Sequence, residues 1–167
     1  MVGTRQINGR SVTFRRESGT GPALVCLHGS AANHHTYDPL VEARPGRACY
    51  AVNLPGRLGT AGPALHTAAE MESFLAAFVE SEVEGDYVVA GHSVGGGVAI
   101  EHALASAGDR LKGLVLLATG ARLRVHPMIL QIMEQAESTG MRPGLPPGLH
   151  ELGADPAILE QSANALA

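Results

Sequence analysis

A chain of 167 residues that is 45% hydrophobic and 17% charged suits one globule with a buried core, not a disordered segment. A formal net charge of −4, with no run of like charges, gives no basic field for a phosphate backbone, so a nucleic-acid partner is excluded from the expectations. No window approaches the ~18 apolar residues of a membrane span and the first residues do not read as a leader, which predicts a soluble, cytoplasmic protein with no membrane partner.

In chain order, Asn8-Gly9 separates 5–9 from 11–16 and predicts a two-residue hairpin at the start. Ala23 to Leu27, Ala48 to Val52, Tyr87 to Ala90 and Gly113 to Ala118 are short apolar runs bounded by turn residues, and each reads as a strand buried on both faces. Between the second and third runs, Thr67-Ala68-Ala69-Glu70 is a capping box, followed by Met71, Phe74, Leu75, Phe78 and Val79 at helical spacing. Val94 to Ala107 predicts a buried helix ended by Gly108 as a left-handed cap. Alternating strands and helices imply parallel strands joined by right-handed crossovers. After Gly120 the pattern changes. Pro127 opens a helix striped by Ile129, Ile132 and Met133, 140–153 reads as loop, and Asp155-Pro156 caps a last short helix. The expected organisation is a core over 1–120 and a helical, lid-like segment over 121–167.

Cys26 and Cys49 sit in apolar runs, so neither a disulfide framework nor a zinc site is expected. His34 and His35 are adjacent, but no third ligand stands at metal spacing, and with His66 they read as ordinary loop polarity. No metal or cofactor is called for.

The informative segment is Gly91-His92-Ser93-Val94-Gly95-Gly96, where a buried strand turns into a helix through Gly-X-Ser-X-Gly. A serine there must adopt strained backbone angles for its hydroxyl to project into a cleft, and Gly91, Gly95 and Gly96 keep the surroundings small. The helix start aims the Val94 N–H at oxygen charge developing in acyl transfer. A second N–H donor is expected at the end of the first buried strand, in His28-Gly29-Ser30, and Ser30 is assigned to it. His28 and His92 are read as packing beside the site. Taken together these segments resemble the α/β-hydrolase family, in the branch with a His-Gly oxyanion loop and a Gly-His-Ser-X-Gly-Gly turn. Asn53-Leu54-Pro55-Gly56-Arg57 is similar to that family's Asp-X-Pro-Gly loop, with Asn53 in place of the acid and Leu58 where a glycine is common, a change expected to alter loop bracing.

The resemblance implies an α/β fold, a predominantly parallel sheet with helices on both faces, and Ser93 as a catalytic nucleophile. It also implies an acid and a histidine after the lid, so the chain reads as truncated after the start of the lid, with roughly 70 residues missing at typical element lengths. His102 lies about 12 Å along its helix from Ser93, too far to serve as base. Within the chain His126 and His150 are the candidate bases, and Thr119 and Gly120 leave the variant position for the acid empty. Two functions follow. One is a serine hydrolase that forms an acyl-enzyme from a small-molecule ester, thioester or lactone, its base and acid drawn from a longer parent, a second polypeptide, or His126 or His150. The other is a non-catalytic, truncated relative that binds a ligand or partner, self-associates, or pairs with a complementary C-terminal half.

Overall fold

The computed structural model of the chain describes residues 1–30, 32–43, 46–106 and 108–123, with Pro127 and Gln131 beyond them. The opening hairpin pairs β1 (Val2–Ile7) with β2 (Arg10–Glu17). Its two turn residues, Asn8 and Gly9, have φ of 49° and 74°, the positive pair that a turn matched to the strand twist requires. Four more strands follow: β3 (Thr20–Leu27), β4 (Arg47–Val52), β5 (Tyr87–His92) and β6 (Leu111–Leu117). They form one sheet in the order β1-β2-β4-β3-β5-β6. The two pairings that involve β2 are antiparallel and the three among β3, β4, β5 and β6 are parallel, so the sheet is mixed with a parallel core.

Alternation along the central strands sends side chains to two different cores. Val25, Leu27, Val52 and Val89 face α2 (Ala68–Glu82) and α3 (Val94–Ala105), where Leu75, Phe78, Val98 and Ala99 meet them. Phe78 is fully buried, with Phe14 edge-on at 5.0 Å, and burial of such a side chain contributes roughly 1.5–3 kcal/mol. On the other face Cys26, Cys49, Ala51 and Ala90 pack against Tyr37 and Val41, from a 3₁₀ turn (His34–Tyr37) and α1 (Asp38–Glu42). Helices therefore cover both faces. The capping box of α2 is complete: the Thr67 hydroxyl accepts from Glu70 N–H, and the Glu70 carboxylate accepts from Thr67 N–H.

Two local expectations are corrected. Helix α3 ends at Ala105 with Ser106, extended at φ −71°, as its C-terminal cap, so the helix stops before Ala107 and Gly108 is not the residue that caps it. Strand β6 is not buried on both faces. Among the described strands it pairs with β5 alone, and Val115, Leu116 and Leu117 remain 42%, 44% and 41% exposed. An apolar run marks a strand but does not say which strand stands outermost.

The chain divides into one unit over Met1–Arg122 and another over Leu123–Ala167. The expected helix after Pro127, the loop over 140–153 and the cap at Asp155 fall almost wholly outside the described residues. No helix of the described residues is long and apolar enough to cross a membrane.

Candidate active site

Parallel strands β3, β4 and β5 end side by side, and the loops leaving β3 and β5 bring His28-Gly29-Ser30 next to His92-Ser93. At the end of β5 the chain reverses into α3 through Ser93, with φ 51° and ψ −120°. A non-glycine residue seldom adopts such a conformation, and it is held there by bonds to both of its peptide groups. Ser93 N–H donates to the Leu117 carbonyl at 3.0 Å. The Ser93 carbonyl accepts from Gly96 N–H at 3.0 Å, Gly97 N–H at 3.3 Å and the Thr119 hydroxyl at 2.7 Å. The Ser93 residue itself stays half-buried, and its hydroxyl makes no hydrogen bond to any described residue.

The turn closes only because its neighbours lack side chains. A Cβ on Gly91 would overlap the Gly95 carbonyl, one on Gly95 would overlap the Leu27 carbonyl, and one on Gly96 would overlap the Thr119 side chain. Gly29 is equally confined: a Cβ there would lie 2.7 Å from His92 Nδ1 and 3.3 Å from Ser93 Cβ, which puts the β3 loop against the serine. Val94 N–H, the first amide of α3, has no acceptor within the helix and lies at its positive end.

His28 fixes the loop opposite. Its ring is buried; Nε2 accepts from Leu54 N–H at 3.1 Å, so the ring proton sits on Nδ1 and donates to the Gly29 carbonyl at 2.8 Å. Burial lowers its pKa from 6.5 to about 4, and the neutral tautomer holds at neutral pH. Gly29 and Ser30 share a trans peptide, whose C=O and N–H point in opposite directions, so anchoring the carbonyl on His28 turns Ser30 N–H away from that ring.

Beneath these loops the buried Asn53 braces two segments. Its Oδ1 accepts from His34 N–H at 2.6 Å and its Nδ2 donates to the Leu58 carbonyl at 2.9 Å. The substitution of amide for acid thus supplies a donor that a carboxylate lacks. His34 is not a loop-surface residue as its sequence context suggested. It is 2% exposed, stacked on His35 at 4.1 Å, and burial pushes its pKa down. The Tyr37 hydroxyl donates to the Leu27 carbonyl at 2.8 Å and pins the end of β3. Tyr37 and Thr119 carry no motif signature; only their contacts identify them.

His126 and His150 lie outside the described residues. Of the described histidines, His35 bonds Asp38 at 2.6 Å and His102 bonds Glu72 and Tyr87 at the far end of α3. None of them meets the Ser93 hydroxyl. Among the described residues no group of three His, Cys, Asp or Glu side chains is arranged to hold a metal ion.

The chain is similar to known proteins. The matching family is described as the alpha/beta hydrolase family, over residues 24–166. The pimeloyl-[acyl-carrier protein] methyl ester esterase of Nitrosomonas europaea is 38% identical over 103 residues, which cover 61% of this chain and 39% of that protein. Among solved structures, a hydrolase from Pseudomonas aeruginosa superposes with a TM-score of 0.75 at 20% identity, covering 99% of this chain and 66% of that one. A thermophilic esterase from Thermogutta terrifontis gives 0.72 at 22% identity, over 99% of this chain and 66% of its own. The match to the curated esterase spans about two fifths of that protein's length, and the solved structures are matched over about two thirds of theirs.

Proposed function

The chain belongs to the alpha/beta hydrolase family, and from that premise we propose that it carries the nucleophilic half of a serine hydrolase acting on a small-molecule carboxylic ester, thioester or lactone. The observation that carries this reading is the Ser93 conformation: φ 51° at a strand-to-helix turn, the hydroxyl without a described partner, and Gly29 packed against its Cβ. In the proposed reaction Ser93 Oγ attacks the substrate carbonyl and loses its proton to a general base. The N–H groups of Ser30 and Val94 receive the oxyanion. Collapse of the tetrahedral intermediate breaks the C–O or C–S bond, the departing oxygen or sulfur taking its proton from the same base (as a free alcohol or thiol, or as the hydroxyl end of an opened lactone), and leaves an acyl-enzyme that water hydrolyses to the acid. The similarity to a methyl ester esterase supports carboxylic esters as the first class to test.

His28, His34, His35 and His102 are engaged elsewhere, and no hydrogen bond joins His66 or His92 to Ser93, so the base is assigned outside the described residues, to His126, His150 or a histidine supplied by further polypeptide. The test is treatment of the full chain with a fluorophosphonate probe and a p-nitrophenyl ester, with Ser93→Ala as control. Labelling and turnover that vanish in the variant are expected. A folded wild-type chain that neither labels nor turns over rules out His126 and His150 as the base and sinks catalysis by this chain alone.

A second reading has its own observation. The exposed Val115, Leu116 and Leu117 on β6 form an apolar strand surface suited to self-association or to pairing with a complementary half. In that case the chain binds without catalysing, and sedimentation shows a dimer or larger species that Leu116→Lys disperses.

A further inference from the structure

We propose that Thr119 is a positioning residue that aims the Val94 amide at the oxyanion; the inference rests on the hydrolase reading of Ser93. Val94 N–H and the Ser93 carbonyl belong to one peptide plane, and in a trans peptide they point in opposite directions. Whatever fixes the carbonyl fixes the aim of the amide. Helical bonds from Gly96 and Gly97 hold that carbonyl along the axis of α3, but both partners lie in the first turn, where helices fray. The Thr119 hydroxyl adds a third donor, at 2.7 Å, from outside the helix.

The supporting segment is shaped for the task. Leu117 offers its carbonyl to Ser93 N–H, and Thr119 offers its hydroxyl to the Ser93 carbonyl, so two residues grip the peptide groups before and after one side chain. Ala118 between them has φ 45°, a left-handed conformation that an alanine rarely takes. Gly96 leaves the space that the Thr119 side chain fills. On the opposite loop His28 does the same for Ser30: a side-chain donor holds the carbonyl of the peptide whose N–H serves the site. Both amides are therefore aimed by the same device, from two unrelated residues.

The experiment measures fluorophosphonate labelling of the full chain over a range of probe concentrations, together with amide exchange of Ser93 and Gly96 by NMR. Thr119→Val keeps the volume and removes the donor. Its labelling rate at saturating probe is expected to fall about tenfold, the half-saturating concentration moving less than about twofold, because the oxyanion donor is misaimed and binding is not. Thr119→Ser restores most of the rate, and exchange at Ser93 and Gly96 accelerates in the valine variant and not in the serine variant. Thr119→Ala replaces the valine variant if that one does not fold. Labelling of Thr119→Val at the wild-type rate overturns the proposal. Should the wild-type chain not label at all, catalysis by this chain alone fails and the exchange arm decides whether Thr119 holds the Ser93 peptide; unchanged exchange then overturns the proposal.

Discussion

At the N-terminal end of α3 the backbone is strained and buried polar atoms go unpaired, whereas at its C-terminal end both ring nitrogens of His102 have partners. Near the first end Ser93 and Ala118 both have positive φ, and His92 Nδ1, His34 Nε2 and Asn33 Nδ2 are buried with no hydrogen bond among the described residues. Near the second, His102 Nδ1 lies 3.0 Å from a Glu72 carboxylate oxygen, and Nε2 lies 2.8 Å from the Tyr87 hydroxyl and 3.3 Å from that of Ser106. That network ties α2, α3 and β5 together. Unsatisfied groups and strained residues destabilise a fold, so their concentration at one end of a single helix needs a reason that packing does not supply, while the closed network at the other end is what packing alone selects. The contrast separates two buried histidines that look alike in the sequence: His28 is held neutral beside the strained end, and His102 is a tie.

The largest effect expected from breaking this contrast is a pH dependence at the strained end. The unfolded chain binds a proton at His28 below about pH 6.5, but in the folded protein burial delays that proton until about pH 4. The unfolded state therefore holds more protons across that window, and stability present above pH 6.5 is lost as the pH falls toward 4, by about 3 kcal/mol in total. His34, whose pKa burial also lowers, acts with the same sign. Urea unfolding at pH 7 and pH 4.5 measures the loss, and His28→Gln should remove most of it. A wild-type stability that is flat across this range contradicts the locked neutral ring.

At the quiet end the expected effect is smaller and of a different kind. His102→Ala removes the ring that bonds both the Tyr87 hydroxyl and the Glu72 carboxylate, at a cost of about 2 kcal/mol. Because the network lies at the far end of α3 from Ser93, the fluorophosphonate labelling rate of the folded variant should stay at the wild-type value. Loss of labelling in a variant that still unfolds cooperatively would show that the two ends are coupled.

What the sequence made legible follows the range of the interactions involved. The Asn8-Gly9 turn, the Thr67 capping box and the three glycines around Ser93 are local rules, readable within a few residues, and the strand pattern gave the mixed sheet with its parallel core. Thr119 stood 26 residues from the carbonyl it holds, and Tyr37 ten from its own, with nothing in either neighbourhood to mark the contact. His34 looked like a polar loop residue because the Asn53 amide it bonds lies 19 positions away. The exposure of β6 depends on strand order, which an apolar run does not encode.

The last way to sharpen the comparison is to relieve strain at the site without removing a contact. Ala118 has φ 45°, where an L-residue costs roughly 1–2 kcal/mol and glycine costs nothing sterically, although glycine loses roughly 0.5–1 kcal/mol in chain entropy. Ala118→Gly should therefore raise stability by a net amount of about 0.5 kcal/mol, seen as a slightly higher urea midpoint. The same change frees the link between the Leu117 carbonyl and the Thr119 hydroxyl, the two groups that grip Ser93, so labelling should slow by a factor of about two to three even as the fold gains stability. A stability gain with slower labelling identifies the strain as the means by which the grip is held in register. A gain with unchanged labelling identifies it as an incidental feature of the turn after β6, and the contrast between the two ends of α3 then rests on Ser93 and the unpaired ring nitrogens alone.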